Sequence, residues 1–508
     1  MDARKSRLAK GFSAVSIGLV LSNVIGMMFH LLVARILGPS LYGQFGVLMS
    51  FFTIGSYLFL FGMKQTSRKY LVEFEQQKRQ IAVILLIIVV VLGLIPSLAG
   101  LGLLMSFMTT SYSPGNLVFL LALSMPAIIA SNIHNIATAF LYTEYNEGRA
   151  EIIEVIRKIL FLTGSLVLAY LGYGLIGIGF FLFISPLLTG LVGIYYYEKI
   201  TDFLSRKQSF QATGHIKPIL RFGFLILLIN FFMNLHLHLD VILVEIFQNS
   251  RQTGIYKGMS VLSHFLWIIP AATAEIALHN FSDMSSNSEI KKIRHFVEFI
   301  ISKQVAFLAL LGVGMLVLAE PFIALYYGGS FLPGAIVLQL LTVGSVLGAS
   351  STIISPTLEA TGNIVDAVKA AGLAAMLNVI LNIFLIPYYG MIGAAIATSI
   401  SYASMMVVYS YYYSSHMGYN PLLKVKWRKI AFSVGITFLI LSVFKNIFNS
   451  PLSQIIILPP LGAFVYILLS IRLGILNSSE VREFGQILGI KPKYLNKVLD
   501  VVEWIEYN

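Results

Sequence analysis

Ionisable and amide side chains are scarce in this 508-residue chain, and those inside its long apolar stretches could do chemistry. His236 and Asp240 stand four residues apart, as do Glu275 and His279, so on helices each pair shares one face. A carboxylate beside an imidazole in an apolar setting can bind a proton or a cation; equally, it can fix two helices together as a buried pair. Arg35 offers a planar fork of donors suited to a phosphate or pyrophosphate, or it snorkels to an interface beside Gly38-Pro39. Arg157 and Lys158, together with Arg221, form a second candidate phosphate-receiving set, or else ordinary interface anchors. The amides of Asn23, Asn132, Asn135, Asn234, Asn378 and Asn382, with His30 and His134, can hydrogen-bond sugar hydroxyls or join helix to helix.

The elements that must hold these groups are transmembrane helices. Hydrophobic side chains make up 57% of the chain and charged ones 11%, with a mean hydropathy of +0.83, against about 25% charged residues in a soluble domain. Apolar stretches of about 20 residues, enough to cross a hydrocarbon core, recur with short loops between them. Fourteen spans are expected, near 12–36, 41–63, 81–107, 116–142, 155–171, 175–197, 222–246, 256–280, 303–325, 333–357, 367–387, 390–413, 430–447 and 453–474. Assigning all 35 Lys and Arg to alternate sides of this plan puts 31 on the side of the termini and only Arg35, Arg251, Lys257 and Lys445 on the other. By the positive-inside rule both termini are then cytoplasmic. The net charge of +12 is mainly this topological signal, and nucleic-acid binding is discounted. Helix depth puts His30, Arg35, His236, His238, Asp240 and His264 in the outer half of the membrane, and His134, Glu275, His279 and Glu359 in the inner half. The first span is too long for a cleaved signal peptide and is expected to stay. Cysteine is absent, which excludes disulfides and thiolate-held metals.

The chain also repeats itself. Residues 172 to 197 match 388 to 413 at a shift of 216, with Tyr173, Gly174, Ile176, Gly177 and Tyr195-Tyr196-Tyr197 falling on Tyr389, Gly390, Ile392, Gly393 and Tyr411-Tyr412-Tyr413. At a shift of 211, Gly43-Gln44-Phe45 falls on Gly254-Ile255-Tyr256 and Asn23 on Asn234. Spans one to six thus recur as seven to twelve, as two parallel six-helix repeats about an axis along the membrane normal.

With the repeat established, Ala34 to Phe45, reading A-R-x-L-G-P-x-x-Y-G-x-F, resembles the first-hairpin motif of the polysaccharide transport family of lipid-linked oligosaccharide flippases. That family belongs to the multidrug/oligosaccharidyl-lipid/polysaccharide exporter superfamily. The lipid II flippases of the same superfamily share the run Val33 to Gly38 but carry an Arg-Asp pair shortly before its arginine, where this chain has Phe29-His30.

The resemblance implies an all-α membrane flippase that accepts a polyprenyl-(pyro)phosphate-linked oligosaccharide at the cytoplasmic leaflet and releases it outside by alternating access. The expected organisation is a six-helix bundle over 1–200, a second over 201–420, two further transmembrane helices over 421–476 and an amphipathic cytoplasmic tail over 477–508. No P-loop, HExxH or paired-acid outer loop is present, so no enzyme is expected, and energy is expected from H+, Na+, the membrane potential or the substrate gradient, with no other cofactor. The expected partners are the lipid-linked glycan, the bilayer of the cell membrane and glycan-assembly enzymes. Two rival readings are a cation-coupled drug or metabolite antiporter of the same fold and a non-transporting scaffold for those enzymes.

Overall fold

The computed structural model describes residues 2–109, 117–202, 214, 216–286, 290–448, 450–478, 480–482 and 492–507; side chains are described from residue 25 on, except those of 107–109, 275, 276, 278–280, 282, 283, 285, 286, 492–495, 497, 498, 501 and 507. The described residues form helices and contain no strand. In chain order these are α1 (Asp2–Leu60), α2 (Met63–Glu73), α3 (Lys78–Thr109), α4 (Leu117–Thr143), α5 (Glu147–Leu168), α6 (Gly174–Thr201), α7 (Ile216–Phe247), α8 (Ser250–Ser263), α9 (Ile268–Ser286), α10 (Ile290–Val317), α11 (Ala319–Tyr326), α12 (Ala335–Ser350), α13 (Ile354–Ala360), α14 (Ile364–Met417), α15 (Trp427–Lys445), α16 (Pro451–Arg472) and α17 (Pro492–Tyr507). Most are apolar on all sides, the pattern of a helix that faces lipid or helix in every direction and satisfies its own backbone.

Ten described stretches are long and apolar enough to cross a membrane. Three are too long for one crossing, and each contains a reversal. In α1 the break is Gly38 (φ 70, ψ 174), and His30 Nδ1 lies 2.8 Å from the hydroxyl of Tyr42, although an unbroken helix would separate residues twelve apart by about 18 Å. Between α5 and α6 the chain turns at Gly172 and Gly174, and in α14 it turns at Gly390. Divided at these turns, the ten stretches become thirteen passes; the remaining expected span falls on α8 and α9.

By contacts the chain forms two compact units, residues 1–261 with 371–394, and residues 262–370 with 395–508. The first has an apolar core that includes Leu60, Met63, Leu85, Phe140, Tyr197 and Ile219. The second contains small cores around Val317, Leu318, Leu441 and Leu458, and around Leu266, Leu308 and Ala349. This division follows packing, whereas the expected halves 1–200 and 201–420 follow the repeat.

Local geometry recurs along the chain. Asn146 caps α5 and Asn363 caps α14 with nearly the same backbone angles (φ −110, ψ 40 and φ −96, ψ 36). Asn146 N donates to Leu141 O, and Asn363 N donates to Leu358 O, 217 positions on. Gly174 (φ 50, ψ −129) and Gly390 (φ 55, ψ −135) adopt one backbone conformation open essentially to glycine alone. These two are 216 apart, so the first copy is one residue longer between its asparagine and its glycine. A π-helical turn at Ala169–Tyr173 takes up that residue. Within the first unit, a Cβ on Gly43 would overlap the carbonyl oxygen of Ser250, and one on Gly254 would overlap that of Pro39. Pro39 and Gly43 correspond to Ser250 and Gly254 at the shift of 211, so the contact is reciprocal, as at a twofold axis.

Candidate functional site

A charged cluster lies among α2, α4, α5 and α6 of the first unit. Its hub is Glu154. Arg157 follows one turn later on α5 and donates to both carboxylate oxygens, from Nε at 2.9 Å and from Nη2 at 2.6 Å. Lys158 Nζ stands 3.7 Å away on the same face. The order acid then base at i,i+3 and i,i+4 is the favourable one on a helix. From α4, buried His134 places Nε2 2.8 Å from Glu154 Oε2, and its Nδ1 lies 3.0 Å from the Thr189 hydroxyl of α6. Gly190, next to that threonine, leaves room for the backbone of His134 to approach α6.

Further charge surrounds this hub. Lys64 of α2 donates to Asn135 Oδ1 at 3.4 Å, and the Arg68 guanidinium lies 4.0 Å from the centre of the Tyr142 ring. The Tyr142 hydroxyl in turn donates to Glu151. Lys64, Arg68, Arg157 and Lys158 thus stand against the two carboxylates of Glu151 and Glu154. Glu154, Arg157 and Lys158 are 27–28% exposed. Such a set attracts an anion and can grip it bidentately.

A second polar group lies on α7 and α8. Asp240 is buried, accepts a hydrogen bond from the Tyr256 hydroxyl and accepts at 2.8 Å from the amide of Val241. Buried Lys257 is near enough to Asp240 to interact with it, and its stem packs where Gly46 of α1 carries no side chain. His236 is buried one turn before Asp240. His238 Nδ1 lies 3.3 Å from Ser50 Oγ.

The other sequence candidates are placed separately. Arg35 is exposed close to the break at Gly38, and His30 engages Tyr42. Asn234 donates to Asn230 O at 2.8 Å, inside its own helix. Asn382 donates to Asn378 Oδ1 at 3.0 Å, and both are buried. Arg221 is exposed near the start of α7 and makes no ion pair among the described residues. The side chains of Asn23, Glu275 and His279 lie outside the described residues. Among the described residues no group of three or more His, Cys, Asp or Glu could hold a metal ion.

Of the residues in this cluster, the sequence candidates include His134, Arg157 and Lys158 and do not include Glu154, Lys64 or Thr189. Glu154 could have been found, because E-V-I-R-K over 154–158 places an acid one turn before two bases.

Residues 32–336 match the polysaccharide biosynthesis protein family, a segment covering more than half of the chain. The chain belongs to this family. The segment holds both polar groups described above. Among relatives of this family member is the probable low-salt glycan biosynthesis flippase Agl15 of Haloferax volcanii, 25% identical over 79% of this chain and 83% of that one. A second is the probable flippase AglR of the same organism, 26% identical over 50% of this chain and 53% of that one. Of solved structures, the lipid II flippase MurJ in an inward closed conformation superposes with a TM-score of 0.72 at 19% identity, covering 90% of this chain and 97% of that one. An inward-facing multidrug resistance MATE family transporter of the MOP superfamily gives 0.66 at 17% identity, covering 78% and 94%. This member of the polysaccharide biosynthesis family therefore shares the MurJ and MATE fold and is a multi-pass membrane protein.

Proposed function

We propose that this protein is a flippase for a polyprenyl-(pyro)phosphate-linked oligosaccharide, carrying it from the cytoplasmic to the outer leaflet by alternating access of two six-helix halves. The observation that carries this reading is the cationic cluster of Lys64, Arg68, Arg157 and Lys158, whose four positive charges stand against only the two carboxylates of Glu151 and Glu154, an excess that suits an anionic ligand. Arg157 and Lys158 take the phosphate, and Asn135, beside Lys64, is available for the first sugar. An apolar groove lined by Phe61, Ile87, Ile88, Val91, Leu92 and Leu220 begins three residues from Lys64 and offers the polyprenyl chain a path. Of the Haloferax relatives, one is named a probable glycan biosynthesis flippase and the other a probable flippase, which supports a flippase reading. The 31 to 4 charge split supports cytoplasmic termini, and the reciprocal glycine contact supports the paired halves.

Coupling to an ion gradient is assigned to Asp240 with His236, beside Tyr256 and Lys257, and Glu275 with His279 is the alternative pair. The test is flipping of a fluorescent lipid-linked disaccharide in liposomes carrying the purified protein, with and without imposed H+ and Na+ gradients. Transport of a cationic dye and of no lipid-linked sugar would hand the function to the antiporter reading. Asp240→Asn, which keeps an acceptor for Tyr256 but cannot ionise, is expected to flip the lipid equally with or without a gradient.

A further inference from the structure

The binding cluster is partly self-occupied, because its best phosphate grip is already taken by a carboxylate of its own helix. Arg157 gives Glu154 two parallel bonds, at 2.6 and 2.9 Å, the same fork–fork grip that it would give a phosphate. Lys158 stands on the same carboxylate. We propose that Glu154 is an internal stand-in for the substrate phosphate: it occupies Arg157 and Lys158 in the empty protein, is displaced by the arriving phosphate, and returns when the phosphate leaves. This inference rests on the proposed flippase reading and deepens it, since it states what the headgroup must compete with.

Two further observations favour displacement over a fixed structural pair. The first is that Glu154 keeps a second holder. The Thr189 hydroxyl has one hydrogen, and its two closest partners are Ser185 O at 2.7 Å and His134 Nδ1 at 3.0 Å, with Pro186 O farther off at 3.4 Å. When it donates to Ser185, Nδ1 must carry a proton to donate to Thr189; when it donates to Nδ1, the ring's single proton sits on Nε2. In the second arrangement Nε2–H faces Glu154 Oε2 at 2.8 Å. The carboxylate thus retains a hydrogen bond after Arg157 has turned away, and its displacement leaves no orphaned charge.

The second observation is exposure. His134 is 4% exposed, so the holder is fixed inside, whereas Glu154 at 27% and Arg157 at 28% are the partly exposed members of the group. The other charged and titratable groups facing the pair are Tyr57 from α1, Lys64 from α2, and Glu151 and Lys158 from α5, with Arg68 of α2 beyond Lys64 and Glu151. With Glu154 offsetting one of the two charges of Arg157 and Lys158, the protein carries less uncompensated charge through its return step, which lowers the electrostatic cost of resetting.

The experiment measures binding of farnesyl pyrophosphate to the full-length protein in detergent, and multiple-turnover flipping in liposomes. Glu154→Gln removes the competitor and is expected to tighten binding about tenfold, the measure of one charge-assisted contact no longer opposed, while slowing turnover through an impaired return. Glu154→Asp, too short to hold His134 and Arg157 together, is expected to bind more tightly than the wild type and less tightly than Glu154→Gln, and it decides the matter if Glu154→Gln does not fold. Weaker binding by either folded variant would show that Glu154 merely props up its neighbours and would overturn the proposal, leaving the flippase reading intact. Failure of the wild-type protein to bind the pyrophosphate at all would overturn both.

Discussion

The helices that follow Asn146 and Asn363 start from the same turn and differ in their cargo of charge. In α5 the face below the turn presents Glu154, Arg157 and Lys158; at the corresponding positions of α14, 217 residues on, stand Ala371, Ala374 and Ala375, all buried. Further along, Phe161 and Ser165 of α5 give way to Asn378 and Asn382, whose amides bond to each other. On the first helices of each copy the asymmetry runs the other way. Phe29 and Phe45 pack edge to face at 5.6 Å, and the positions that match them at the shift of 211 are Asp240 and its hydrogen-bond partner Tyr256. Gly46 likewise matches Lys257, and the two touch. One backbone plan thus carries an anion-attracting group in one copy and a buried acid–base group in the other. Fold and chemistry are separate inheritances: caps and glycine turns are repeated, and charged side chains are not.

The most disruptive way to test this contrast is to move charge onto the wrong copy. Ala374→Arg would bury a guanidinium at a site with 1% exposure and no carboxylate corresponding to Glu154. A loss of roughly 3–5 kcal/mol is expected, enough to abolish a folded detergent-solubilised peak in size-exclusion chromatography. The double variant Ala371→Glu with Ala374→Arg rebuilds the α5 pair and is expected to recover part of the peak. No recovery would mean that α14 is closed to charge for reasons of volume alone.

Next in size come the glycines at which the copies are alike. Gly43→Ala and Gly254→Ala each drive a methyl into the opposing carbonyl, and each is expected to cost about 1–3 kcal/mol, read as a lower Tm in the same detergent. The reciprocal contact requires similar losses. If one substitution is silent and the other severe, the apparent twofold relation does not extend to energetics.

The repeated features were legible in sequence because glycine and asparagine are demanded by the backbone itself. Gly38-Pro39 announced a reversal, and Tyr173-Gly174 with Tyr389-Gly390 announced a repeated turn, since no other residue fits those angles cheaply. The chemistry was less legible for a physical reason. Ranking ionisable residues by their depth in a span favours an acid with no Lys or Arg within one turn of it in sequence, such as Asp240, and passes over an acid paired with bases on its own helix, such as Glu154. The links from His134 to Thr189 and from Lys64 to Asn135 join residues 55 and 71 apart, distances at which spacing carries no signal. Conversely, Asn234 looked like a cavity amide, yet its side chain caps a carbonyl of its own helix.

Smaller effects separate two cations that sequence treated alike. Arg157→Gln removes the bidentate fork and is expected to weaken farnesyl pyrophosphate binding at least tenfold, with the loss persisting at high salt because the contact is direct. Arg221→Gln is expected to change affinity by no more than about twofold at low salt. Arg221 is exposed and makes no ion pair among the described residues, so it can act on an anion only at long range. Such an interaction is screened over a Debye length of about 10 Å at 0.1 M salt and about 3 Å at 1 M. The twofold effect should therefore vanish between low and high ionic strength while the Arg157 effect remains, and titrating both variants across that range reads the difference. If Arg221→Gln instead weakened binding tenfold at 1 M salt, Arg221 would have to touch the ligand directly, and the phosphate site would extend beyond α5 to the start of α7.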